Sequence, residues 1–200
     1  MEDVRKLLHF EPSNIDYRKI TAALEHYEQR GYPYMEVPWV VSSEALNVTL
    51  PPEHAATKVQ YGDLVGSAEQ SFIELMLRGE AVTKACAITP CFRLEDAYDE
   101  LHHGYFMKLE LINTEVTDAN LQATIADAYE FFAHYLDVEI VPTGRGMYDI
   151  VDTRRKIELG SYGVRAYKEM SFIYGTGVAL PRLDKAIELA NQPEPEQNAL

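Results

Sequence analysis

Residues 91–110 read CFRLEDAYDELHHGYFMKLE and predict a β-strand, an acidic loop and a return strand. Residues two apart on a strand face the same side, so we expect Arg93 and Glu95 to project together from the first strand. His103 and Phe106 are placed on the return strand. A guanidinium that binds phosphate and a ring that stacks on a base would suit a nucleotide. The same residues also suit the solvated face of a half-buried sheet, so the hairpin alone leaves both interpretations open.

The length and composition of the chain indicate one globular domain. The 200 residues are enough for a single sizeable core. No run of about 18 apolar residues predicts a membrane span, and the charged N-terminus does not resemble a signal peptide. We therefore expect one domain over residues 1–190, a polar and disordered tail over residues 191–200, no membrane partner, and a cytoplasmic location.

The charge and the cysteines exclude further classes of protein. The formal net charge is −14, which argues against a DNA-binding or broad RNA-binding surface because such a surface needs a basic field. A local cationic pocket for ATP remains compatible with this charge. Cys86 and Cys91 lack CxxC spacing and a second Cys/His pair, so we expect two buried free thiols rather than a zinc site or a disulfide framework.

The N-terminal half predicts two helices around an aromatic strand. Residues 13–30 show an apolar stripe at helical spacing, with Ser13 or Asn14 as cap and Gly31 as the stop. YPYMEVPWVVSS follows as an aromatic strand that contains Pro38, and residues 45–64 predict irregular structure. A short helix then begins after Ser67, with Glu69 in the first turn, where the helix dipole favours a carboxylate.

The C-terminal half predicts a long helix, a second hairpin and a final strand–helix unit. Residues 117–136 form a clear amphipathic helix. In the second hairpin, oxygens of Asp149, Asp152, Glu158 and Ser161 could hold Mg²⁺, or could be a solvated charged face. The closing GTGVALPRL passes from a strand into a helix that starts near Arg182. Its glycine pair matches neither the dinucleotide-binding fingerprint nor a P-loop.

Three of these stretches, in this order, resemble the three motifs of class II aminoacyl-tRNA synthetases. The helix, Gly31 and the aromatic strand up to Pro38 resemble motif 1. FRLE followed by HGYFMKLE is similar to motif 2, and GTGVALPR is similar to motif 3. The resemblance covers about residues 15 to 190, which is nearly a bare catalytic core. It implies an α+β fold with a mainly antiparallel six- to seven-stranded sheet flanked by helices, and a homodimer through the motif 1 unit.

The resemblance also implies adenylation, in which a carboxylate attacks the α-phosphate of ATP and expels pyrophosphate. Carried over by position, Arg93 would hold the α-phosphate and the substrate carboxylate. Glu95 would accept a hydrogen bond from the adenine amino group, and Phe106 would stack under the adenine. Arg182 would lie over the adenine and reach the γ-phosphate, while His103 would contact the pyrophosphate end. Arg93 and Arg182 are thus the implied catalytic residues.

The same comparison implies residues for the amino acid and the metal. Ser67 and Glu69 resemble the Thr-x-Glu loop that binds the substrate ammonium. Glu158 and Ser161 match the strand that holds Mg²⁺ in the seryl-type enzymes. The candidates to line the amino-acid pocket are Glu69, Ser161, Tyr162 and Tyr148.

The acidic loop DAYDEL departs from the synthetase pattern. In synthetases this loop commonly approaches the tRNA acceptor end, and the carboxylates of Asp96, Asp99 and Glu100 would repel phosphates. We therefore expect a ligase that activates an amino acid or related carboxylate with ATP and Mg²⁺. The acyl group would pass to an acceptor other than a full tRNA, such as a carrier protein, a protein side chain, a small amine or ammonia. Two alternatives stay open: a minimal synthetase that charges tRNA, and a non-catalytic paralogue that binds nucleotide or amino acid and regulates a partner.

Overall fold

A computed structural model describes residues 15–51, 55–94 and 99–193. In these ranges the strands are β1 (Val40–Val41), β2 (Lys58–Val59), β3 (Gly62–Leu64), β4 (Lys84–Phe92), β5 (Tyr105–Asn113), β6 (Val138–Gly144), β7 (Met147–Asp152), β8 (Glu158–Tyr167) and β9 (Met170–Leu180). The helices are α1 (Tyr17–Glu28), α2 (Ser43–Asn47), α3 (Ala68–Leu77), α4 (Asp118–Ala133) and α5 (Arg182–Asn191).

The strands form one large and one small sheet. The large sheet has six strands in the order β4-β5-β9-β8-β7-β6, and every neighbouring pair is antiparallel. The small sheet has the order β1-β3-β2. This confirms the predicted α+β fold with a mainly antiparallel sheet flanked by helices.

The hairpin predicted from residues 91–110 is β4 and β5. These strands pair from Lys84↔Asn113 to Phe92↔Tyr105, and the backbone N–H of Arg93 extends the ladder by donating to the carbonyl of Gly104 at 3.0 Å. His103 precedes β5 instead of lying on it. Residues 95–98, which include the predicted adenine partner Glu95, lie outside the described residues.

Helices α1, α4 and α5 cover one face of the large sheet. Their apolar stripes bury Tyr27, Phe132 and Leu183 against strand residues such as Leu109. A Cβ atom at Gly177 would collide with Leu109 Cδ2, so this glycine of the predicted motif 3 permits close packing of β9 on β5. This face is therefore the apolar core of the domain.

Helix α3 and the small sheet cover part of the opposite face. Phe72 and Ile73 of α3 pack with Ile112 of β5 and Phe172 of β9. On β5 the residues of this face alternate with those of the core, as the pleat of a strand requires. Phe106, Lys108 and Glu110 consequently project on the side of the sheet that α3 only partly covers.

Several predicted boundaries differ from the structure. Helix α1 begins at Tyr17, and its cap is Asp16, which accepts a hydrogen bond from the backbone N–H of Arg18 at 3.1 Å; the predicted caps Ser13 and Asn14 lie outside the described residues. The prediction of irregular structure over residues 45–64 was wrong, because this range includes the end of α2 and the β2–β3 hairpin.

The aromatic stretch before Ser42 is only partly a strand. Val40 and Val41 form β1, whereas Pro33 and Met35 bond to the backbone of Cys86 at 3.0 and 2.8 Å along the outer edge of β4. The two cysteines are buried free thiols, as predicted. No helix within the described ranges is both long enough and apolar enough to cross a membrane.

Candidate active site

A cavity of about 400 Å³ opens over the face of the large sheet that α3 only partly covers. Its floor comes from β5, β8 and β9, and its walls come from the start of α3, the segments flanking residues 52–54, and the start of α5. The cavity brings together the predicted residues Ser67, Glu69, Arg93, His103, Phe106, Glu158, Ser161 and Arg182.

Arg93 and Phe106 meet at one end of the cavity. Phe106 pairs with Cys91 across the hairpin, and Arg93 follows β4 directly, so the strand register places the two side chains together. The guanidinium carbon of Arg93 lies 5.0 Å from the centroid of the Phe106 ring, and Nε of Arg93 donates to the carbonyl of Gly66 at 3.1 Å. An aromatic face beside a cation can receive a base and its phosphate.

Arg182 lies on the rim, at the first residue of α5. Its Nη1 atom is 3.7 Å from Oε1 of Glu158, and its Nε atom is 3.4 Å from the carbonyl oxygen of Leu101. His103 lies on the same side of the cavity, with Nε2 at 3.2 Å from the carbonyl oxygen of Glu100. The residues of the implied motifs 2 and 3 thus share one end of the cavity.

A buried polar cluster forms part of the floor. Nζ of Lys108 lies 2.8 Å from Oε2 of Glu110, which also accepts a hydrogen bond from the hydroxyl of Ser67 at 2.6 Å. Ser67 caps α3 as predicted and accepts from the backbone N–H of Glu69 at 3.2 Å. Sequence reasoning missed Lys108 as a cavity residue, although it lies two positions after Phe106 and therefore on the same face of β5.

Glu69 is already paired within the protein. It is 6% exposed, and its Oε1 atom lies 2.6 Å from Nε of Arg165 on β8. Burial raises the pKa of the Glu69 carboxyl, and the neighbouring guanidinium opposes that rise. The resemblance implies a substrate ammonium beside Glu69, and in the structure the group beside Glu69 is Arg165. The guanidinium carbon of Arg165 also lies 5.0 Å from the ring centroid of Tyr174.

The predicted metal ligands lie at the β7–β8 edge of the cavity. Ser161 pairs with Asp149 across the ladder, and Glu158 begins β8. Burial raises the pKa of Asp149; a hydrogen bond from Ser161 opposes the rise, and the charge of Glu158 adds to it. Within the described ranges, no three His, Cys, Asp or Glu side chains are grouped to hold a metal. These oxygens suit Mg²⁺ only together with phosphates of a nucleotide, which is the coordination that Mg²⁺ prefers.

The predictions for Tyr162 and Tyr148 were wrong. Tyr162 is fully buried in the core and donates to the carbonyl of Thr176 at 2.7 Å. Because successive strand residues alternate faces, Ser161 and Tyr162 cannot both line the cavity. Tyr148 pairs with Tyr162 and packs on the same core, while Tyr174 on β9 lines the cavity instead.

No protein-family model and no curated protein matches the sequence. Solved structures do match it. A pyrrolysyl tRNA synthetase structure from Desulfitobacterium hafniense has 16% identity and a TM-score of 0.67, over 90% of this chain and 70% of that one. A second pyrrolysyl-tRNA synthetase structure from that organism has 14% identity and a TM-score of 0.65, over 92% and 72% of the two chains.

A cytoplasmic serine-tRNA ligase from Naegleria fowleri, solved in complex with AMP, has 15% identity and a TM-score of 0.62. That match covers 84% of this chain and 51% of the ligase, so the chain spans about half of that enzyme's length. Together with the sheet and the cavity, these matches show that the chain has the fold of class II aminoacyl-tRNA synthetase catalytic domains. Within that class, the matched structures include two pyrrolysyl enzymes and one serine enzyme.

Proposed function

We propose that this protein is a ligase that activates an amino acid or a related carboxylate as an acyl-adenylate, using ATP and releasing pyrophosphate. The observation that carries the proposal is the meeting of Arg93, Phe106 and Arg182 in one cavity. That cavity lies in a chain with the class II synthetase fold. A cavity of about 400 Å³ is also within the range that small-molecule sites occupy.

The nucleotide would bind at the end of the cavity formed by Phe106 and Arg182. The adenine stacks on Phe106, and Arg182 lies over its other face and reaches the γ-phosphate. Arg93 moves from the Phe106 ring to the α-phosphate, because a phosphate is a stronger partner for a guanidinium than a ring face. Glu95 accepts from the adenine amino group, and His103 contacts the pyrophosphate.

The chemical step requires positioning rather than a general base. The substrate carboxylate is already ionised at neutral pH. One of its oxygens forms a bond to the α-phosphorus as the bond from that phosphorus to the pyrophosphate oxygen breaks, and the electron pair leaves with pyrophosphate. Arg93 and Arg182 neutralise the charge on the phosphates as this happens. Mg²⁺, held by Glu158 and Ser161 with the phosphates, would supply further neutralisation.

The acceptor of the acyl group is proposed to be something other than a full tRNA. The net charge of −14 opposes binding to a polyanion, and Asp99 and Glu100 lie in the segment between the cavity-lining residues Leu94 and Leu101. We place the reaction in the cytoplasm, which supplies ATP and keeps thiols such as Cys86 and Cys91 reduced. Exposed Trp39 and Val40, beside the motif 1 unit, support a homodimer through that unit.

Exchange of labelled pyrophosphate into ATP tests the proposal. The protein is incubated with Mg²⁺ and a panel of amino acids and other carboxylic acids. We expect exchange with at least one acid, and we expect Arg93→Ala to reduce it by about 100-fold or more, because a donor to the reacting phosphate is lost. Arg145→Ala, in the exposed turn between β6 and β7, is the matched control and should retain exchange. Binding of ATP without exchange by any acid would instead favour the non-catalytic alternative.

A further inference from the structure

Cationic side chains and carboxylates are nearly equal in number along the cavity, although the protein has a net charge of −14. Among the described lining residues, four are cationic and three are carboxylates: Arg93, Lys108, Arg165 and Arg182, with Glu69, Glu110 and Glu158. The cavity therefore carries no excess of negative charge, although the rest of the chain does. This balance determines which charges a ligand can bring into the cavity.

Each of these carboxylates has a cationic partner. Glu69 lies 2.6 Å from Arg165. Glu110 lies 2.8 Å from Lys108. Glu158, on the rim, lies 3.7 Å from Arg182. A substrate ammonium entering the cavity would thus approach a carboxylate whose charge a neighbouring cation already compensates.

The pairing of Glu69 is the most consequential, because Glu69 and Arg165 lie close to the reacting end. Arg93 bonds to the carbonyl of Gly66 at 3.1 Å, only three residues before Glu69. A substrate whose carboxylate is held by Arg93 therefore has the rest of the molecule directed towards the start of α3. An ammonium there would either displace Arg165 from a buried carboxylate or lie beside a like charge, and both cost free energy.

We propose that the acyl substrate carries no cationic group: it is a carboxylic acid whose remaining part is neutral or anionic, such as a 2-hydroxy acid or an N-acylated amino acid. Arg165 is the specificity-determining residue. This inference rests on the proposed adenylation and narrows its substrate class.

The polar groups around Arg165 suit a neutral substrate group. A guanidinium has five N–H donors, and Nε of Arg165 is the one engaged by Glu69. A hydroxyl both donates and accepts, so it can donate to Glu69 while it accepts from the terminal nitrogens of Arg165. Ser161 and Thr176, which also line the cavity, offer further neutral partners.

Matched pairs of acids in the pyrophosphate exchange assay test this inference. Each pair shares a side chain and differs only at the 2-position: alanine and lactate, phenylalanine and phenyllactate, glutamate and 2-hydroxyglutarate. N-acetylated forms of the same amino acids are measured beside them. We expect kcat/KM for the best amine-free acid to exceed that for its amino acid by about tenfold or more, since a repelled buried charge changes affinity by at least that factor.

Arg165→Met removes the cation while retaining length and apolar character. We expect it to change the ratio of the two kcat/KM values by about tenfold or more in favour of the amino acid, because Glu69 then lacks its partner. Arg165→Lys should keep the wild-type preference. The double variant Glu69→Gln/Arg165→Met, which buries no unpaired charge, should show no gain for amino acids.

Two results would overturn the inference: a wild-type preference for free amino acids over their 2-hydroxy partners, or an unchanged ratio in folded Arg165→Met. If Arg165→Met does not fold, the kcat/KM ratios of the wild type and of the double variant still test the inference. If neither the wild type nor any variant catalyses exchange with any acid, the proposed adenylation is contradicted, and this inference with it. That outcome differs from a reversed preference, so the two failures are distinguishable.

Discussion

The register of the β4–β5 pair determines that the Phe106 side chain lies in the cavity. Phe106 lies opposite Cys91, and its alternation with Met107, which packs against the core, places its ring on the cavity face of β5 beside Lys108. Stacking of a base on an aromatic ring contributes about 1–3 kcal/mol. We therefore expect Phe106→Leu to raise the KM for ATP in the exchange assay by about tenfold or more.

The matched control for this variant is Tyr129→Leu. Tyr129 is an aromatic residue on α4, outside the residues that line the cavity. It should leave the KM for ATP unchanged. Equal KM values for Phe106→Leu and the wild type would show that adenine does not stack on this ring.

The two cysteines are predicted to be chemically inert in the folded protein. Burial raises the pKa of Cys86 to about 12 and that of Cys91 to about 11. Because only a thiolate is nucleophilic, both side chains should stay protonated and unreactive at pH 8. We expect a disulfide reagent such as dithiobis(nitrobenzoate) to release no thiolate from the native protein at this pH. Addition of denaturant should expose two reactive thiols per chain, and fast labelling of either cysteine before unfolding would refute the prediction.

At the scale of residues, the sequence could predict the parts of the site that lie in contiguous motifs. Arg93, Phe106 and Arg182 were predicted to lie together because each has a local signature and a place in the order of motifs, and all three line the cavity. Arg165 could not be identified in this way, since its partner Glu69 is 96 positions away and their contact depends on how α3 packs over β8. Tyr162 was misplaced because strand alternation was not applied to its neighbour Ser161.

At the scale of elements, caps set where the helices begin. Thr117 caps α4, and its hydroxyl accepts from the backbone N–H of Asn120 at 3.1 Å. We expect Thr117→Ala to lower the free energy of unfolding by about 1 kcal/mol, because one backbone donor at the helix end loses its side-chain partner. Urea unfolding measures the change, and Thr117→Ser should retain most of the stability. Since α4 covers the core face of the sheet, neither variant should alter exchange; a loss of exchange in Thr117→Ala alone would show coupling between α4 and the site.

Long, periodic elements were predictable and short ones were not. The β4–β5 hairpin and helix α4 carry a strong alternation or a strong apolar stripe, so the sequence specified both. Strands β1 and β2 have two residues each, which is too few for any periodicity. The sequence correctly predicted that a strand passes into a helix near Arg182. Strand β9 extends further than expected, because Gly175 and Gly177 allow close strand packing and do not form a loop.

At the scale of the molecule, the motif 1 unit and the residues directly after it expose large apolar side chains. Trp39 is 54% exposed, and Tyr34 and Val40 are also exposed. Exposed aromatic residues at this density are typical of interfaces between proteins. We expect the protein to sediment at twice the 22.7 kDa mass of one chain, and Trp39→Glu to shift it to a monomer. Tyr129→Glu, a charge placed on an exposed position of α4, should remain dimeric, and a monomeric wild type would rule out this interface.

The whole fold was predictable from three weak motifs because their order and spacing constrain the topology more than any one of them does. The charge of the molecule bears on the proposed acceptor, because a net charge of −14 opposes binding to a polyanion. The cavity, in which cationic side chains balance the carboxylates, is where we propose that an anionic nucleotide binds.

A crystal structure of the protein with ATP and Mg²⁺ tests the central claim most directly. The account predicts adenine stacked on Phe106 with Arg182 over its other face, and Arg93 turned from the ring to the α-phosphate. ATP bound outside this cavity, or inside it with the adenine away from Phe106, would contradict the account.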